Sequence, residues 1–205
     1  MGISFVLSVI EILGISAFAL SGIVAAKGKD MDLVGAYVLA MFTALGGGTF
    51  RDFMLGQRAF WLDSDYYPVL IFALTIASAP FIDRIIRSHH TLIAIDIFDA
   101  LGIGLFTTVG ASHAVAAGCP FVVSALMGVG TCILGGILRD IACSQIPQVL
   151  RRTPLYATCS FLGALVYLLI NKAFPAEGLL AVFAGTACTF LLRIAAMRYK
   201  LKLPL

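Results

Sequence analysis

Shifted by 88 residues, this chain matches itself without a gap. Leu13, Gly14, Ile15, Phe18, Gly22 and Ala26 meet Leu101, Gly102, Ile103, Phe106, Gly110 and Ala114. The match runs on through Val34 with Val122, Thr43 with Thr131, Gly47 and Gly48 with Gly135 and Gly136, and Arg51-Asp52 with Arg139-Asp140. Repeats of this kind set the whole architecture, so the repeat comes before any motif. Each copy holds three long apolar runs. An odd number of spans makes the second copy enter a membrane from the opposite face, so the two copies are related by an axis in the membrane plane.

The apolar runs identify the solvent. Of 205 residues, 60% are hydrophobic and 12% charged, against about 25% charged in an ordinary soluble domain. A bilayer span takes about 20 apolar residues. Runs bounded by Gly, Pro and charge predict seven helices, at about 3–26, 33–55, 66–86, 92–114, 120–143, 155–171 and 178–197. The fold class is therefore an all-α integral membrane protein over 1–205, a single membrane domain with repeat 1 at about 3–86, repeat 2 at about 92–171 and an extra helix at about 178–197. The stretch from Gly2 to Ala26 is too long for a signal peptide and carries Glu11, so it is expected to stay as the first helix. All seven prolines (Pro68, Pro80, Pro120, Pro147, Pro154, Pro175 and Pro204) are expected near helix ends or in loops.

With Arg51 and Arg139 set aside as intramembrane, the basic residues divide unevenly. Lys27, Lys29, Arg84, Arg87, Arg151, Arg152, Arg193, Arg198, Lys200 and Lys202 fall on one side, and Arg58 and Lys172 on the other. The positive-inside rule puts the first set, with the C-terminus, in the cytoplasm and the N-terminus outside.

The strongest chemical signal is Gly46-Gly47-Gly48-Thr49-Phe50-Arg51-Asp52 with its counterpart Gly135-Gly136-Ile137-Leu138-Arg139-Asp140. Adjacent glycines predict a bend or an unwound stretch, and broken helices at matching points of inverted repeats point to a transport site. An arginine near the centre of a membrane helix costs roughly 2.5–3.5 kcal/mol, so two Arg-Asp pairs need a reason. Helix neighbours do not face each other. The symmetry then suggests cross-pairing, Arg51 with Asp140 and Arg139 with Asp52. Either the pairs only lock two kinked helices together, or freed carbonyls and carboxylates line a path for small cations, which prefer oxygen ligands. Thr43, Thr49, Thr131 and Ser124 are possible ligands on such a path. Asp96 and Asp99, three apart, are secondary pathway candidates, and Asp99 matches Glu11 at the same offset.

Other features read more plainly. Gly14, Phe18, Gly22 and Ala26, like Gly102, Phe106, Gly110 and Ala114, recur every four residues and suit close helix packing. Cys119, Cys132, Cys143, Cys159 and Cys188 have no CxxC spacing and read as small core residues. His113 reads as an interfacial histidine. Nucleophile motifs, zinc spacings and dinucleotide fingerprints are absent, and no Lys-Ser or Lys-Thr follows the Gly46 run to make a phosphate loop. An enzyme, a catalytic site, a cofactor, a metal site and a nucleic-acid partner are not expected.

At Gly47-Gly48-Thr49-Phe50-Arg51-Asp52, Gly135-Gly136-Ile137-Leu138-Arg139-Asp140 and Asp99-Ala100-Leu101-Gly102, the chain resembles the prokaryotic branch of the TRIC family, the trimeric intracellular cation channels, also catalogued as a bacterial glycine transporter domain. The resemblance covers about residues 5–200. It implies a homotrimer of seven-helix protomers in a bacterial or archaeal cell membrane, surrounded by lipid. It also implies a pore in each protomer through glycine-kinked helices 2 and 5, conducting potassium and to some extent sodium. Carried over, it puts the kinks on Gly46, Gly47, Gly48, Gly135 and Gly136 and pore charge on Arg51, Asp52, Arg139 and Asp140. The Lys-Glu lipid motif of the animal members is missing here. A secondary transporter of glycine or a similar zwitterion is the rival reading, since inverted repeats serve alternating access equally well. A structural scaffold would leave the duplicated charges unexplained.

Overall fold

The computed structural model describes residues 3–87, 91–151 and 155–201. Arg152, Pro154, Lys202 and Pro204 lie outside the described residues. Seven α-helices follow one another: α1 (Ile3–Lys27), α2 (Leu33–Met54), α3 (Tyr66–Arg87), α4 (Thr91–Ala116), α5 (Phe121–Ala142), α6 (Ala157–Ala173) and α7 (Gly178–Tyr199), with 3₁₀ turns at Phe60–Asp63, Gln148–Leu150 and Pro175–Glu177. Five of the helices are long and apolar enough to cross a membrane, while α6, at 17 residues, and the Tyr66–Ser78 part of α3 are apolar but shorter. α1–α3 and α4–α6 form the two repeats, and α7 stands outside them.

The repeat extends into the turns. Asp30 and Gly118 both have positive φ, as do Gly56 and Ser144, and both pairs are 88 apart. In each pair glycine occupies one copy and a residue that tolerates this conformation less readily occupies the other. Asp32 caps α2 by accepting from the Gly35 N–H at 2.7 Å.

α1 and α4 pack through their small-residue ridges. Phe18 and Phe106 stack with ring centroids 5.4 Å apart, and a Cβ on Gly14 would lie 2.9 Å from the Phe106 ring, while one on Gly102 would collide with Phe18. Equivalent residues thus meet across the pseudo-twofold axis. α2 and α5 cross on the same axis. A Cβ on Gly47 would overlap the Thr131 carbonyl oxygen, and a Cβ on Gly135 the Thr43 carbonyl oxygen.

Three sequence expectations need correction. α2 and α5 run through their glycines as unbroken helices, because those glycines let two backbones touch and do not release carbonyls. Pro80 lies inside α3, where its missing N–H leaves one helical hydrogen bond unmade. Arg193, placed above with the basic loops, is 2% exposed within α7.

Candidate functional site

Arg51 and Arg139 stand in the last turns of α2 and α5. A cation is favoured there by the carbonyl end of the helix. The aspartate that follows each arginine is not, and a second donor compensates. Asp52 Oδ2 accepts the Phe60 N–H at 2.8 Å, and Asp140 Oδ2 accepts the Gln148 N–H at 2.8 Å. Those donors open the 3₁₀ turns and are themselves 88 residues apart.

The pairing is within each repeat. Arg51 Nε donates to Asp52 Oδ1 at 2.7 Å and Nη1 to Glu11 Oε1 at 3.1 Å. Arg139 donates from Nε and Nη2 to Asp140 Oδ1 at 3.0 and 2.9 Å, and from Nη1 to Asp99 Oδ1 at 2.7 Å. The cross-pairing of Arg51 with Asp140 and Arg139 with Asp52 is therefore wrong. The long arginine stem folds back far enough for Nε to reach the next carboxylate, which its turn already holds in place. Each cluster holds one cation and two carboxylates, a formal charge of −1.

The clusters sit at opposite ends of the bundle. Glu11 lies towards the start of α1 and Arg51 at the end of the antiparallel α2, whereas Asp99 lies towards the start of α4 and Arg139 at the end of α5. Between them is the Gly47–Thr131 and Gly135–Thr43 crossing. There the Thr43 and Thr131 hydroxyls turn back on Leu39 O and Met127 O at 2.7 Å each.

The two clusters differ in closure. Arg139 has an acceptor for every nitrogen, including Ser21 Oγ at 2.6 Å from Nη1. Tyr156 covers it, since a Cβ on Gly136 would lie 2.8 Å from the Tyr156 hydroxyl and 3.3 Å from Asp99 Oδ1. α7 seals this end: Arg193 lies 4.7 Å from the Tyr156 ring centre and donates to Leu155 O at 2.9 Å and Gln148 Oε1 at 3.4 Å. Gln148 Nε2 in turn donates to Asp96 Oδ1 at 3.1 Å. At the other end Arg51 Nη2 is buried with no hydrogen-bond partner among the described residues, as Asp99 Oδ2 is in the Arg139 cluster, and its guanidinium lies 5.5 Å from the Phe60 ring centre.

The remaining candidates scatter. Gly46 and Thr49 line an apolar groove of about 570 Å³ with Trp61, Leu134 and Leu138; Trp61 Nε1 donates to Thr49 Oγ1 at 3.0 Å. A Cβ on Gly48 would press on the Phe60 ring. Ser124, in the first turn of α5, donates to Cys119 O at 3.2 Å. His113 lies beside Glu11 on a cavity wall. All five cysteines are free. Sequence reasoning missed Ser21, Gln148, Tyr156 and Arg193; an arginine inside the apolar 178–197 run was the available signal for the last.

One family model, described as Glycine transporter, matches this chain twice, over residues 8–82 and 96–172. The UPF0126 inner membrane protein YadS of Escherichia coli K12 is 33% identical over 196 residues, covering 95% of this chain and 93% of that protein. A solved structure, the TRIC trimeric intracellular cation channel orthologue from Rhodobacter sphaeroides, superposes with a TM-score of 0.88 at 34% identity, covering 96% of this chain and 99% of that one. The chain belongs to the TRIC family. A second member, a prokaryotic TRIC channel crystallised in 0.5 M KCl, superposes with a TM-score of 0.89 at 28% identity over 98% of this chain and 100% of its own. Membership makes this a multi-pass membrane protein with the inverted 3+3 repeat and a seventh helix, and the two charge clusters are built into that TRIC scaffold.

Proposed function

We propose that the protein is a channel for monovalent cations, potassium and to a lesser degree sodium, assembled as a homotrimer with one pathway per protomer along the α2–α5 interface. The observation that carries this reading is the placement of two buried clusters of charge −1, Glu11–Arg51–Asp52 and Asp99–Arg139–Asp140, at opposite ends of one glycine-mediated helix crossing. A negative cluster at either mouth concentrates cations and repels anions. The crossing at Gly47 and Gly135, where the backbones touch, is the constriction, and Thr43 and Thr131 beside it offer oxygens once the helices part. Relatives described as TRIC cation channels support the same reading. Purified protein in a planar bilayer under opposed potassium and sodium gradients should show unitary currents whose reversal potential lies towards the potassium equilibrium value. A reversal at the chloride value would refute it.

The rival reading, a carrier of glycine or a similar zwitterion, keeps one specific support. Arg51 Nη2 lacks an acceptor among the described residues and stands beside the Glu11 carboxylate, a pairing that suits a carboxylate and an ammonium. Saturable glycine uptake without unitary current would favour it.

The orientation proposed is N-terminus outside and C-terminus in the cytoplasm, from the division of basic residues. An alkaline phosphatase fused after Leu205 should be inactive in cells; activity there would reverse the topology.

A further inference from the structure

The two charge clusters are equivalent in sequence position but not in surroundings. Asp99 is fully buried, whereas the Glu11 side chain is 12% exposed and lines a cavity of about 450 Å³ between α1, α4 and α6. Ser8, Glu11, Ser112, His113, Tyr167 and Asn171 supply its polar wall. Arg51 is not part of that wall, and among the described residues Glu11 is the carboxylate on it. The repeat shows that the lining is particular to this end. The positions equivalent to Ser112 and His113 are Val24 and Ala25, both buried apolar residues, and the residue equivalent to Ser8 is Asp96, which is tied to Gln148.

We propose that this cavity is the cation-loading site of the channel, holding one monovalent cation between the Glu11 carboxylate and the neutral oxygens of Ser112 and Asn171. The proposal rests on the channel reading and adds to it a site that neither the glycine pattern nor the Arg-Asp signature contains. A carboxylate with neutral oxygen donors suits an alkali ion, and one charge already shared with Arg51 holds it weakly enough to release it inward. The equivalent carboxylate at the opposite end, Asp99, is fully buried and held by Arg139, whereas Glu11 is partly exposed, so loading is assigned to the Glu11 end.

The test is unitary conductance with cations entering from the Glu11 end, at roughly 0.02 M and 1 M KCl. A unit charge about 6 Å from an ion in water changes its local concentration about threefold, and the Debye length of about 3 Å at 1 M removes most of that effect. Glu11→Gln should therefore lower the low-salt conductance about threefold and leave the high-salt value nearly unchanged. Asn171→Asp should raise the low-salt value by a similar factor and Asn171→Lys should lower it, and these two variants decide the matter if Glu11→Gln fails to assemble. Effects of equal size at both salt concentrations would mean a reshaped path and overturn the proposal. A conducting wild type with all three variants unchanged at low salt would overturn the cavity site alone, whereas a wild type silent in every salt would overturn the channel reading and the site together.

Discussion

Gly47→Ala and Gly135→Ala should each lower the stability of the detergent-solubilised protein by about 3 kcal/mol or more, far beyond the effect of a methyl group added at Gly130 on α5. Overpacking a well-filled core costs about 1–3 kcal/mol when side chains can move aside. Here they cannot, because the new carbon would overlap backbone carbonyl oxygens, those of Thr131 and Thr43. Relief requires α2 and α5 to separate along the crossing and to give up contacts that carry membrane helix association. Gly130→Ala is the control, since its methyl would meet only the edge of the Phe50 ring at 3.0 Å, a side chain that can tilt. Thermal melting followed by size-exclusion chromatography reads the difference. Melting of Gly47→Ala and Gly130→Ala within a few degrees of each other would contradict the close-contact role of the crossing. If the Gly47 variant does assemble, helices held apart at the constriction should conduct more at rest than the wild type.

The architecture could be read from the sequence because it depends on long-range repetition of simple features. Seven apolar runs and a gapless offset gave the inverted repeat, and the recurrence of Gly14, Phe18 and Gly22 with Gly102, Phe106 and Gly110 gave two closely packed helix faces, while the structure showed that these faces meet each other. The interior of the site could not be read so far. A pair of glycines in a membrane helix predicts either a break or a close approach, and only the partner backbone decides; here Thr43 and Thr131 decide for approach. The pairing of Arg51 and Arg139 depended on where the chain goes after its helix, and the 3₁₀ turns that bring the Phe60 and Gln148 N–H groups to Asp52 and Asp140 leave no periodic signal. Glu11 and Asp99 match at 88 just as Arg51 and Arg139 do. The shared offset fits a contact within each unit, but it fits a contact across the axis equally well, as Gly47 with Thr131 and Gly135 with Thr43 show, so only the structure chose between them. Arg193 has no repeat partner, and its contacts with Leu155 and Gln148 came only from packing of α7.

Replacing Arg139 by methionine should destabilise the protein by about 3–5 kcal/mol, because it strands Asp99, which is fully buried, together with Asp140. Breaking a buried ion pair from one side leaves a charge without compensation, and that stranded charge dominates the loss. Arg51→Met should cost less. Asp52 keeps the Phe60 N–H, and Glu11 borders a cavity through which water can solvate it. The second substitution that rescues Arg139→Met then identifies its partner. Asp99→Asn in the same chain removes the most deeply buried orphan and should recover at least half of the lost stability, since Asp140 retains the Gln148 N–H. Asp52→Asn should recover none and add its own cost, because Asp52 belongs to the cluster at the other end of the bundle. Distant, independent sites add and contacting ones couple, so a thermodynamic cycle should give a large coupling for Arg139 with Asp99 and close to zero for Arg139 with Asp52. Strong coupling to Asp52 with none to Asp99 would restore the cross-paired arrangement and require the two helix ends to lie much closer together than they do here.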